Sequence, residues 1–226
     1  MRAAALPALL ALLLAGHVHA GETEVRAGNG SYTLRLTSLK EARFKTTVRQ
    51  QYDFSCGSAA VATLLTYQYG QPVTESEVFM RMYANGDQAK IREEGFSLLD
   101  MHRYFESMGY QADGFELPLE KLAEEGLPAI VLLNERGYRH FVVVKGLRNG
   151  RVLVGDPALG TRALSRQRFD KLWDNRVLFV VHNRRELAQF NAGKDWRVAP
   201  AAPVDLAIQR GGLQDILMSR RGPGDI

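Results

Sequence analysis

The sequence has 226 residues, 46% of them hydrophobic and 24% charged, with 29 Lys and Arg against 25 Asp and Glu and a single Cys. That length suits one ordinary domain, or a domain with a tail, and the balance of apolar and charged residues excludes wholesale disorder. A formal net charge of +4 is too mild to point to nucleic acid, and no zinc-finger, RNP-like or basic-helix pattern adds to it.

At the N-terminus, Arg2 precedes an apolar run from Ala3 to Gly16, and Val18-His19-Ala20 has the small-residue pattern of a cleavage site. Residues 1–20 read as a secretory signal peptide. The run is shorter than the roughly 20 residues a membrane-spanning helix needs, and no later run is longer, so no transmembrane segment is expected after cleavage. Secretion makes the cysteine count informative. An unpaired thiol in an oxidising compartment is an intermolecular crosslinker, an inert buried residue or a reactive group, and the count alone does not choose.

Residues 21–46 read as an N-terminal extended segment, with alternation of Tyr32, Leu34 and Leu36 predicting a half-buried strand over 31–36. A second extended stretch is expected over 44–48, leading into Gln50-Gln51-Tyr52-Asp53-Phe54-Ser55. Cys56-Gly57-Ser58 then opens a helical run through 59–69, stopped by Gly70. Thr74 with Glu77 has the capping-box spacing for a helix to about Tyr83, Ser97 is the N-cap of another over 98–108, and a short helix follows Pro118 over 119–125. The pattern then turns to strands at 129–133 and 141–144, an Asn149-Gly150 hairpin turn into 152–154, a helix around 165–173 and a last strand at 177–181. Helices followed by an antiparallel sheet make an α+β arrangement. From Arg184 the regularity fades into Ala/Pro-rich and Gly-rich sequence, so residues 184–226 read as a C-terminal tail.

Cys56 at a helix start lies where free N–H groups and the helix dipole favour thiolate, and Gly57 and Ser58 are expected to keep the first turn open to substrate. A Cys nucleophile needs a base. His17 and His19 belong to the signal peptide, whereas His140 opens a strand beside the loop Gly137-Tyr138-Arg139, where a side chain is held yet accessible. The hairpin brings Asp156, in Gly155-Asp156-Pro157, back to the level of His140, where a carboxylate fixes an imidazole's tautomer. The N–H of Cys56 and a side chain of Gln50 or Gln51 are candidate donors to an oxyanion. No metal-ligand spacing is present.

These residues carry a resemblance. Gln50-Gln51-Tyr52-Asp53-Phe54-Ser55-Cys56-Gly57-Ser58-Ala59-Ala60, then Gly137-Tyr138-Arg139-His140-Phe141-Val142-Val143-Val144, then Gly155-Asp156-Pro157-Ala158-Leu159-Gly160 are similar to the C39 (double-glycine, bacteriocin-processing) cysteine peptidases of the papain-like superfamily. The resemblance covers residues 47–183 and implies a papain-like α+β fold, with N-terminal helices packed on a C-terminal antiparallel sheet. It implies Cys56 as nucleophile, His140 as base and then acid, Asp156 as orienter, and Gln50 rather than Gln51 in the oxyanion hole, with no cofactor and no metal. Ser55 departs from the Asp that many members carry before Cys-Gly. With a signal peptide and no transporter, the chain resembles the free-standing secreted branch, above all the members serving functional-amyloid secretion. That implies a periplasmic thiol protease acting on a polypeptide after Gly-Gly or Gly-Ala, with other components of a secretion or fibre-export system as partners. The chain's own Gly211-Gly212 has part of a double-glycine pattern. The other expectations to weigh are a catalytically silent substrate-binding module and a papain-like amidase or transferase.

Overall fold

The structure is a computed structural model that describes residues 22–27, 30–35 and 37–200. Residues 1–20, read as a signal peptide, and the Gly211-Gly212 pair lie outside the described residues. Two strands, β1 (Glu22–Ala27) and β2 (Gly30–Arg35), pair antiparallel as a hairpin of their own. The strand expected at 31–36 is therefore present as β2, and β1 was not anticipated.

The second unit begins at Leu39. A one-turn helix, α1 (Leu39–Arg43), runs into turns rather than into the extended stretch expected from Phe44. Next comes α2 (Cys56–Thr63), continued by a π-helical turn over Leu64–Gln68 in which the Tyr69 N–H reaches back to the Leu64 carbonyl. Every residue of α2 is buried, as its all-round small and apolar composition requires. Three further helices follow: α3 (Glu75–Asn85), α4 (Gln88–Glu94) and α5 (Leu98–Ser107). Reciprocal capping boxes start two of them, Thr74 with Glu77 and Ser97 with Asp100, while Asp87 caps α4.

The sheet is formed by β3 (Ala112–Phe115), then after α6 (Glu120–Glu125) by β4 (Ala129–Glu135), β5 (Tyr138–Arg148), β6 (Arg151–Asp156), β7 (Gly160–Ser165) and, after α7 (Arg166–Leu172), β8 (Leu178–Val181). All pairings are antiparallel, in the spatial order β3-β8-β4-β5-β6-β7. Alternation along β5 divides two cores. Val143 joins Ala60, Val61, Leu64, Phe105 and Phe179 beneath α2 and α5, whereas Val142 and Val144 join Val131, Val152, Val154 and Phe169 on the other face. The helices-then-sheet architecture anticipated from the sequence is the one observed.

The stretch read as a tail with at most short helices is described as far as residue 200. Residues 184–200 hold a 3₁₀ turn (Arg185–Leu187) and α8 (Gly193–Trp196), and both Asp195 and Trp196 are buried. Asn191 and Gln189 hydrogen-bond to the backbone of Lys145 and Gln68. These contacts tie the stretch to β5 and to the end of the π-helical turn, and its irregular sequence reflects a segment folded by its neighbours rather than by its own periodicity.

Candidate active site

The buried N-terminus of α2 puts Cys56 at the meeting point of helix and sheet. Its thiol accepts N–H groups from Phe141 on β5, from Gly57 and from its own backbone. Only 7% of Cys56 is exposed, and burial pushes the thiol above its ordinary range, with the charge of Asp156 adding to the rise. The helix start lowers the thiol as the sequence led one to expect, but desolvation outweighs it. A thiolate here therefore calls for a proton acceptor that becomes a counter-charge.

Gly57 and Ser58 do not keep the first turn open. A Cβ on Gly57 would stand 2.8 Å from Phe96 Cβ and 3.0 Å from Met101 Cε, so this face of the helix is closed against the core. Ser58 is fully buried, with the Ser55 carbonyl and the Glu75 carboxylate as partners for its hydroxyl. Ser55 closes the turn before the helix, exchanging hydrogen bonds with Tyr52 at 3.0 and 3.1 Å.

His140 is buried rather than accessible, because β5 begins two residues earlier and Tyr138 stacks on the imidazole with ring centres 5.0 Å apart. Its Nε2 lies 3.1 Å from Asp156 Oδ2, so the pair expected from the hairpin is formed. With Nε2–H donated to the carboxylate, Nδ1 is left as the lone-pair nitrogen, and it is buried without a partner. The thiol meets the N–H of Phe141, the next residue, so the free nitrogen belongs to the neighbouring side chain on the same strand.

Asp156 is itself tightly held. Oδ1 accepts the N–H groups of Ala158 and Leu159, and Oδ2 accepts Arg162 Nε at 3.1 Å and Nη2 at 2.8 Å in addition to His140. Burial would raise this carboxyl, but the His140 hydrogen bond and charge, Arg162 and the Ala158 N–H together hold it below the usual carboxylate range. Arg162 also reaches Glu135, which takes Arg168 in turn. None of Tyr138, Arg162 and Glu135 was picked out from the sequence. Arg162 lies on β7, a strand whose Gly-Thr-Arg-Ala-Leu-Ser sequence carries little apolar signal; its spacing of six from Asp156 was the available clue.

Of the two glutamines, Gln51 is exposed and Gln50 is half-buried. Gln50 donates its backbone N–H to Pro157 at 3.1 Å, which stitches the loop before the cysteine to the loop after Asp156. One Nε2 hydrogen is anchored on the Tyr52 carbonyl at 3.0 Å, and the same side chain also hydrogen-bonds to Tyr138. Beside these residues runs an open groove of about 650 Å³, whose walls include Cys56, Phe96, Leu132, Arg139 and Phe141. Among the described residues no group of three or more His, Cys, Asp or Glu is placed to hold a metal ion. Nor is any described helix long and apolar enough to cross a membrane.

The model of the Peptidase C39 family matches residues 45–185. The chain is 42% identical over 174 residues to the probable functional amyloid protease FapD of Pseudomonas fluorescens, covering 76% of each protein. It is 44% identical over 154 residues to the FapD of Pseudomonas aeruginosa, covering 68% of each. The lactococcin-G-processing and transport ATP-binding protein LagD of Lactococcus lactis is 28% identical over 138 residues, which is 60% of this chain but 18% of that protein. In fold, the chain is similar to the peptidase domain of Streptococcus ComA, with a TM-score of 0.50 at 20% identity over 60% of this chain and 97% of that one. The chain belongs to the Peptidase C39 family and is a cysteine peptidase.

Proposed function

We propose that this peptidase is an endopeptidase in which Cys56 is the nucleophile, His140 the base and then the acid, and Asp156 the group that orients and charges the imidazole. The observation that carries the reading is the division of the imidazole: Nε2 is taken by Asp156, Nδ1 is buried and unpartnered, and the thiol is held on the N–H of the next residue, Phe141.

The chemistry follows from the atoms. Nδ1 takes the thiol proton, and the sulfur attacks the scissile carbonyl carbon. The electron pair moves to the carbonyl oxygen, which is met by the Cys56 N–H and the side-chain amide of Gln50, released from Tyr138 when substrate binds. The imidazolium returns the proton to the leaving amine as the C–N bond breaks, leaving a thioester. His140 then takes a proton from water, whose oxygen displaces the thiol and releases the acid. Asp156, carrying full negative charge, stabilises each imidazolium state.

The substrate in this reading is a secreted or fibre-forming polypeptide cut after two small residues of the Gly-Gly or Gly-Ala kind. The likeness to the two Pseudomonas functional amyloid proteases supports a role in functional-amyloid biogenesis, and the leader-like residues 1–20 support a periplasmic site of action. A peptidase domain over 47–183 and partners from an export system complete the proposal.

Incubation of the protein with fibre-forming secreted proteins from the same cell tests it. Cleavage is expected with the native chain, abolished by Cys56→Ala and by iodoacetamide and unaffected by a chelator. Intact substrates that nonetheless bind both proteins would overturn the reading in favour of a silent binding module.

A further inference from the structure

The hairpin that brings Asp156 to His140 does so only because β5 contains one extra residue. From the Asn149-Gly150 turn, Arg148 pairs with Arg151, Leu147 with Val152 and Gly146 with Leu153, but then Val144 pairs with Val154 and Val143 with Gly155. Lys145 is the residue left over, a β-bulge. An unbroken register would set Asp156 opposite Val143, whose side chain lies in the core beneath α2. His140, two residues from Val142, points to the opposite face. The bulge moves Asp156 across to that face, as a diagonal neighbour of His140.

The bulge leaves groups that the ladder cannot satisfy, and residues 189–196 take them up. The Lys145 carbonyl accepts the Asn191 N–H at 2.9 Å, and the Leu147 N–H donates to Asn191 Oδ1 at 2.8 Å. The wholly buried Lys145 ammonium meets Asp195 Oδ1 at 2.8 Å, besides the Thr46 carbonyl at 2.7 Å and hydroxyl at 2.9 Å. Burial lowers this lysine to about 8, with Asp195 working against the fall. The strap lies so close that a Cβ on Gly146 would stand 2.5 Å from Asn191 Oδ1. Asn191 and Asp195 both lie beyond residue 185, where the family match ends.

We propose that Asn191 and Asp195 are positioning residues for the peptidase reaction: by holding the bulge at Lys145 they keep Asp156 on the face of His140. The proposal rests on the assignment of Cys56, His140 and Asp156 given above, and its test separates the two. Alkylation of Cys56 by iodoacetamide, followed by mass from about pH 5 to about pH 10, reports the thiolate without requiring a known substrate. The native chain is expected to react at lower pH than His140→Ala, which should follow a simple single-thiol curve shifted upward by burial. If native and His140→Ala curves coincide, the catalytic assignment fails and the proposal falls with it.

Where they differ, Asp195→Asn and Asn191→Gly are compared with them. Glycine suits the left-handed backbone of Asn191 (φ 59°), so that variant removes only the side chain. Both variants should retain near-UV circular dichroism, react about 10–100-fold more slowly near pH 6, and cut a Gly-Gly reporter peptide with lower kcat and unchanged KM. Adding Lys145→Met to Asp195→Asn removes the stranded ammonium without rebuilding the clamp, so the curve should stay displaced; a return to the native curve would overturn the role of Asp195 and leave only the penalty of an unpaired buried charge. Folded variants with the native curve would overturn the proposal. So would loss of the fold in both single variants, which would make the strap a matter of stability alone.

Discussion

Asp156 accepts hydrogen bonds from His140, from Arg162 through two nitrogens and from two backbone amides, and this set of donors keeps it ionised in the folded protein. A carboxyl held lower in the folded than in the unfolded chain stabilises the fold above its unfolded value of about 4 and loses that contribution as pH falls through the folded value. Asp156→Asn should therefore lower the urea midpoint at neutral pH, by about 3 kcal/mol, and flatten the further loss of stability below about pH 4. An acid limb as steep as that of the native chain would show the carboxyl to be a minor contributor. Arg162 acts on the same carboxylate from outside the hydrogen-bonded pair. Arg162→Met should reduce kcat about tenfold with KM unchanged, and Arg162→Lys should recover only part of it, because an ammonium cannot reproduce the paired Nε and Nη2 contacts. Steady-state kinetics on the reporter peptide decides between full and partial recovery.

The element that presents the thiol has little room to move. With Phe96 Cβ and Met101 Cε against Gly57, Gly57→Ala should cost about 1–3 kcal/mol and displace the start of α2, so Tm and activity fall together. A variant with unchanged Tm would mean that α5 and its neighbours yield easily. Which elements could be read in advance follows from where their information lies. Two helices announce themselves through caps, Thr74 with Glu77 and Ser97, and the β4–β6 strands through runs of Val, Leu and Ile and an Asn-Gly turn. By contrast β3, with Ala-Asp-Gly-Phe at the sheet edge, and β7 have no apolar run, and pairing with β8 and β6 makes them strands. The proximity of His140 and Asp156 was legible from the turn, but the bulge was not. A lysine after Val142-Val143-Val144 reads as the end of a buried strand, and only a carboxylate from fifty residues later in the chain explains its burial.

Across the whole molecule, one cysteine among 226 residues rules out an internal disulfide, so the fold depends on its two cores and on polar clamps such as Lys145 with Asp195. The unfolding midpoint should be the same with and without a thiol reductant, whereas activity lost to mild peroxide should return when reductant is added. A reductant-dependent midpoint would point to crosslinked dimers. The same architecture also fixes an order in time. Synthesis delivers this chain N-terminus first, and Cys56 arrives long before His140, Asp156 and finally the Asn191 and Asp195 that close over the bulge. In the assignment proposed above, the nucleophile has no base beside it while the C-terminal half is still missing. On that assignment a chain still being made is harmless to its neighbours, and proteolytic capacity appears only when the later residues have been delivered.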